Sequence, residues 1–320
     1  MIHVKGVKSP QMIATTLALS VLLSPQRVIF DCDIADDIDD AYALALLTKV
    51  PNTKILGVTT VFGDTAGRSK VAAKLLDSFG RADIPIYAGR SSSVPIRGQF
   101  SWAKDFASKT IKPEPAIEFM KRELDRAPGQ ITIIAVGPLI NVSDLITKYP
   151  EVKAKIGKIV IMGGSFYVGY NNQAPPSGEW NIFCDTKAAQ TVFDSGINVI
   201  AAGLDVTTMM QCDGSMQAKL LDYQTKGSTA IRELQQLWGT GTPTLFDPVA
   251  VAYGTGYRFA QEEKAHLTVD EKGVTHITPG SPTVTILVKP QRQEFLDWYV
   301  AMFAPQKSDI YRKAASLQQH

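Results

Sequence analysis

Between Asp31 and Asp40 the chain places six aspartates in ten positions: Asp31, Asp33, Asp36, Asp37, Asp39 and Asp40, within VIFDCDIADDIDDAYALALL. Ionised carboxylates this close in a partly buried loop repel one another and raise each other's pKa. One or two are explained as helix N-terminal residues, which interact well with the amides of a first turn. Six are too many for that. Either the loop is solvated or its charge is shared with a cation. A hard ion with all-oxygen ligands is the simplest partner, and Ca2+ takes roughly six to eight oxygens from carboxylates, carbonyls and water. The spacing is not that of an EF-hand, whose ligands fall on every second residue and end in a glutamate.

Other chemistries find less support. No Gly-x-Ser-x-Gly elbow is present, and the three cysteines, Cys32, Cys184 and Cys212, show no CxxC spacing. An odd number so spaced argues against a disulfide framework and a zinc site. Lys plus Arg is 33 and Asp plus Glu is 31, a net charge of +2 with no basic stripe, so nucleic acid is not an expected partner.

The elements that must position the aspartates alternate. RVIFDCD, TKILGVTTV, IPIYAG, ITIIAVG, KIVIMGG and NVIAAGLDVT read as strands, separated by helical stretches such as DDAYALALLTKV and AGRSKVAAKLLDSFG. Nearly all-apolar strands separated by helices predict an α/β, doubly wound, mostly parallel central sheet with helices on both faces. AHLTVDEKGVTHITPG with PTVTILVKP reads as a small accessory β-hairpin. Ligands of such sheets bind at the carboxyl ends of the strands. The unusual residues fall there: the aspartates after VIF, Gly63-Asp64 after GVTTV, Gly137-Pro138 after TIIAV.

At 320 residues and 45% hydrophobic, the chain can bury a large core, and residues 27–315 are expected to form a single catalytic domain. Residues 1–26 read as a signal peptide or an N-terminal extension. Two lysines precede the apolar stretch Met12–Leu23, which is too short to span a bilayer as a mature helix, so no membrane span is expected. A signal peptide would mean export to the periplasm or medium; an extension would leave the protein cytoplasmic.

Asp31-x-Asp33 followed by Asp39-Asp40-Ala41 resembles the N-terminal signature of the nucleoside hydrolases, the inosine-uridine-preferring N-ribohydrolase family. The resemblance continues in order through GVTTVFGD, AVGPLINV, IVIMGGSF, GEWNIFCD and LFDPVAVAY, and spans residues 27 to 255. It implies Ca2+-dependent hydrolysis of ribonucleosides to ribose and free base, in a homo-oligomer. It also implies a Ca2+ site made by Asp33, Asp40, the Ile140 carbonyl and Asp247, with Asp33 as the general base on a metal-bound water. Asp39, Asp64, Glu179 and Asn181 would hold the ribose, joined by Asn172, for which Gln173 is nearly as good a candidate. The chemistry is coherent, because a carboxylate-rich pocket stabilises the positive charge that develops on a sugar as its glycosidic bond breaks.

Three departures from the family pattern matter. The aspartate loop is two residues longer than the commonest form, so Asp37 competes with Asp39 for the sugar. Asp64 stands where Asn is usual. Phe246 stands where many members carry a histidine that protonates the leaving base, and none of the four histidines falls in a recognised motif. An aromatic at 246 can instead stack on the base, which would favour purines. Two further readings stay open from sequence. One is a non-catalytic nucleoside- or sugar-binding protein. The other is a Mg2+-dependent phosphohydrolase of the haloacid-dehalogenase type, which also places Asp-x-Asp after a strand.

Overall fold

From Val28 to Cys32 every residue of the first strand is buried, so neither face can meet solvent and helices must cover both. The computed structural model describes residues 25–94, 98–221, 225–239 and 241–304. Its first half alternates β1 (Gln26–Cys32), α1 (Asp39–Leu47), β2 (Thr53–Thr60), α2 (Thr65–Ser78), β3 (Ile86–Ala88), β4 (Ile111–Lys112), α3 (Ala116–Arg126), β5 (Ile131–Ala135), α4 (Ile140–Lys148) and β6 (Ile156–Met162). Then come α5 (Trp180–Cys184), α6 (Thr186–Phe193), β7 (Val199–Ala202), α7 (Leu204–Thr207), α8 (Gly214–Leu221), α9 (Lys226–Trp238) and α10 (Phe246–Gly254). The chain closes with β8 (Gln261–Ala265), β9 (Leu267–Val269), β10 (Thr275–Ile277), β11 (Val284–Val288) and α11 (Arg292–Phe303).

Nine strands form one sheet in the order β4-β3-β2-β1-β5-β6-β7-β11-β8, and only β8, on its edge, runs antiparallel to its neighbour. The period-two alternation of side chains divides the interior into two cores. Val28, Phe30 and Cys32 join one core with α1, α2, α9, α10 and α11. Ile29 joins the other with α3, α4 and α6.

The chain leaves β1 toward β2, β3 and β4, then resumes with β5 on the other side of β1. This reversal is the topological switch point, where the loops beyond two adjacent strands diverge and open a crevice. Asp31 pairs with Ala135 across that boundary, so the aspartate loop and the Val136-Gly137-Pro138 turn face one another above it.

Two local expectations change. In NVIAAGLDVT the strand ends at Ala202, and Leu204–Thr207 is helical. The accessory hairpin is β9 with β10 alone; VTILV of β11 lies instead in the main sheet, parallel to β7. All five of its residues are buried, which requires cover on both faces and cannot be met in an isolated hairpin. The expected signal peptide or extension, and the last part of the 27–315 domain, lie outside the described residues. Among the described residues no helix is long and apolar enough to cross a membrane.

Candidate active site

The crevice above the switch point is lined by Asp33, Asp36, Asp37, Asp39, Asp40 and Asp247 on one side, by Glu179, Asn181, Val136 and Met162 on another, and by Tyr170, Trp180 and Phe246. Asp31, the last residue but one of β1, lies below it, fully buried; its Oδ1 accepts from Thr59 Oγ1 at 2.6 Å and Asn141 Nδ2 at 2.7 Å, while Oδ2 has no hydrogen-bond partner among the described residues. Burial raises its pKa to about 7.

Asp33 follows as the chain turns off the strand, and its N–H donates to Asp40 Oδ1 at 3.1 Å. Burial pushes its pKa up to about 6, against the pull of the Arg68 guanidinium, with the Asp36 charge adding to the rise. Asp39 and Asp40 occupy the first turn of α1, and Asp247 the first turn of α10. These two helices pack together in the same core, so their N-termini deliver three carboxylates to one point. One oxygen each from Asp39, Asp40 and Asp247 lies within 4.8 Å of the others, and all three residues are buried.

Burial first, and the neighbouring aspartates after it, drive all three far above the ordinary carboxylate range. A side-chain hydrogen bond links Asp39 and Asp247, favouring the charged form of the former and the protonated form of the latter. The trio therefore carries either shared protons or a cation, because three bare charges this close in a buried site are too costly.

Glu179 is the N-cap of α5. Its Oε1 accepts from Asn181 N at 3.0 Å, and its Oε2 accepts from Ile182 N and Gly164 N, both at 3.1 Å. Burial lifts its pKa to about 7 despite those three amides. Asn181 Nδ2 donates to the carbonyls of Val136 at 3.0 Å and Met162 at 3.2 Å, tying the ends of β5 and β6. Only its Oδ1 is left to receive a hydrogen bond from a ligand.

Tyr170 meets Phe246 edge to face, with ring centroids 6.3 Å apart, and Trp180 meets Phe62 likewise at 6.4 Å. The Tyr170 hydroxyl accepts from Trp180 N at 2.9 Å, and its own proton remains available to donate.

Four residues singled out in the sequence, Asp64, Ile140, Asn172 and its alternative Gln173, are absent from the crevice lining. Asp64 caps α2, its Oδ1 accepting from Gly67 N at 2.9 Å. Asn172 is exposed in a turn whose N–H donates to Gly169 O, and Gln173 is exposed beside it. Ile140 opens α4, its side chain buried in a small cluster with Val61. Asp37 is exposed at the rim, where its Oδ1 accepts from Ile38 N at 2.6 Å, whereas Asp39 is buried in the trio.

Sequence reading missed two side chains, Arg68 and Gln99. Arg68 is fully buried against the aspartate loop and pairs with Asp36 at 2.7 Å. Gln99, also buried, donates to the Asp36 and Asp37 carbonyls.

The family model described as inosine-uridine preferring nucleoside hydrolase matches residues 28–297. A pyrimidine-specific ribonucleoside hydrolase, RihA, of Citrobacter koseri is 30% identical over 305 residues, covering 84% of this chain and 95% of that protein. Uridine nucleosidase 1 of Arabidopsis thaliana is 32% identical over 231 residues, 67% of each chain. Among solved structures, a purine-preferring ribonucleoside hydrolase from Gardnerella vaginalis superposes with a TM-score of 0.76 at 23% identity, covering 87% of this chain and 98% of that one. At that identity the likeness speaks for the fold.

Proposed function

Because the chain belongs to the inosine-uridine preferring nucleoside hydrolase family, it is an enzyme that hydrolyses the N-glycosidic bond of ribonucleosides, and we propose that it does so with Ca2+ and with Asp33 as general base. The observation that carries the cation reading is the buried trio Asp39, Asp40 and Asp247, whose oxygens converge within 4.8 Å. This donor set fits a hard cation, since it is all oxygen and anionic. Asp33, Asp40, Asp247 and the Ile140 carbonyl are the proposed ligands, with Asp39 turned to a ribose hydroxyl. A Ca2+ ion held by these residues would lower the pKa of a bound water and would help orient the sugar hydroxyls.

The chain's own residues supply the rest. Asp33 would take the proton of the attacking water, since a carboxylate beside a cation is held in the ionised form that a base needs. The surrounding carboxylates stabilise positive charge as it builds on the ribose ring. Asn181 presents its Oδ1 to a sugar hydroxyl, and Glu179, engaged with three amides, holds the loop that carries Asn181 in place. Asp64 and Asn172 remain proposed sugar contacts.

The departing base faces Tyr170, Trp180 and Phe246. The names of the relatives point to pyrimidine ribosides, so uridine is the proposed natural substrate, in preference to the purines that a ring at position 246 suggested. Family membership leaves the binding-protein and phosphohydrolase readings without support.

The test is product analysis over uridine, cytidine, inosine and a phosphate monoester. Stoichiometric ribose and free base from uridine, with no phosphate from the monoester, is the expected result. Phosphate release, or nucleoside binding without bond cleavage, would overturn the proposal.

A further inference from the structure

The loop from Asp33 to Ile38 joins β1 to α1, and Ala35 within it has a φ of 101°, in the left-handed region that an L side chain rarely adopts. Such a conformation persists only where its surroundings dictate it. Those surroundings are two side chains from distant elements. Arg68, on α2 and without solvent exposure, donates Nη1 to the carbonyls of Asp33 and Ile34, the latter at 2.9 Å. Its Nη2 donates to Asp36 Oδ2 at 2.7 Å, and its Nε to the Phe62 carbonyl at 2.6 Å. Gln99, from the 3-10 segment Gly98–Ala103, donates Nε2 to the carbonyls of Asp36 at 3.2 Å and Asp37 at 2.8 Å. Four carbonyls of this short loop are thus held by two side chains.

We propose that Arg68 and Gln99 are positioning residues that splint the aspartate loop, fixing Asp33 over the crevice before any cation binds. A cation held by Asp33, Asp40, Asp247 and the Ile140 carbonyl would grip the loop at its Asp33 end, whereas the contacts of Arg68 and Gln99 reach the carbonyls of Ile34, Asp36 and Asp37 beyond it. Arg68 also places a permanent positive charge beside Asp33 and Asp36, which offsets part of the loop's repulsion. The planar fork is essential, because one guanidinium ties two carbonyls, a carboxylate and the neighbouring β2–α2 loop at once, and a lysine ammonium cannot span them.

The inference rests on the proposed function for its kinetic and Ca2+-binding arms, and stands apart from it in the exchange arm. Amide hydrogen exchange of chelator-treated protein is measured for wild type, Arg68→Lys, Arg68→Met and Gln99→Ala, together with Ca2+ binding by calorimetry. Exchange at residues 34–38 is expected to rise by roughly tenfold or more in both Arg68 variants and less in Gln99→Ala, with β7 unchanged. Ca2+ affinity is expected to fall about 10- to 100-fold, the usual cost of losing a residue that orients metal ligands. In the kinetic arm, kcat for uridine drops more than KM changes. Should Arg68→Met fail to fold, Arg68→Lys and Gln99→Ala carry the test. Unchanged exchange and affinity in those two variants, or exchange rising equally in β7, would overturn the splint. A wild type that cleaves no riboside, yet shows the local exchange difference, refutes the proposed function and leaves the splint standing.

Discussion

The main-chain N–H of Asp33 donates to Asp40 Oδ1 at 3.1 Å, so the proposed base and a proposed cation ligand are coupled across the end of β1 and the start of α1. A shift of the Asp40 carboxylate is transmitted to the main chain at Asp33. The coupling uses the Asp33 backbone, which leaves its side chain for the reaction.

Asp33→Asn preserves that backbone bond and the shape of the side chain while removing the base. Turnover of uridine is expected to fall by roughly two to four decades, the usual share of general base catalysis, with KM little changed. Steady-state kinetics and the circular dichroism spectrum check this; activity within a factor of a few of wild type would assign the base elsewhere.

Chelation is expected to destabilise the protein at neutral pH. Removing a ligand that binds only the folded state forfeits its binding free energy, and the carboxylates it separated are left facing one another. Thermal melting should show a lower Tm after prolonged EGTA treatment and recovery on adding Ca2+.

The chelated protein should also respond to pH in an unusual direction. Burial raises Asp31 and Glu179 to about 7, above their ordinary values near 4 in an unfolded chain. Over the interval between those values the folded state binds more protons than the unfolded one, so stability falls as pH rises toward 7 and is greater on the acid side. Melting of chelated protein between pH 5 and pH 7.5, spanning roughly that interval, checks the sign. A Tm that rises with pH there would mean that the folded state binds fewer protons than the unfolded one, contrary to raised pKa values at Asp31 and Glu179.

Phe246 cannot donate a proton. If no other side chain assists the leaving base, p-nitrophenyl riboside, whose leaving group needs no protonation, should be cleaved roughly two to four decades faster than uridine. Phe246→His should then raise uridine turnover selectively. Comparable kcat/KM for the two substrates would reveal another acid, and Tyr170, whose ring meets Phe246 edge to face, is the first to replace.

Much of this was legible in the sequence, for physical reasons. All-apolar strand runs announced a sheet covered on both faces, and six aspartates in ten residues announced a site because no surface helix needs them. What escaped depended on contacts distant in sequence. Arg68, within AGRSK, reads as a solvated charge on a helix, and only the fold brings it against Asp33, 35 residues away in sequence. Gln99 carries no charge to attract notice. The partner of β11 is β7, a choice set by the burial of both its faces rather than by its own pattern. Glu179 was reached through family resemblance, yet in the structure its oxygens cap α5, a role that the Pro-rich loop before it gives no hint of.

The central claim is that a cation held by buried aspartates drives ribose release. It is tested most directly by measuring reducing sugar released from uridine by EGTA-treated wild type, before and after Ca2+ is restored, beside Asp247→Ala in excess Ca2+. Activity lost on chelation, regained with Ca2+, and absent from Asp247→Ala is the predicted result. Full activity in protein shown by elemental analysis to hold no metal would contradict it.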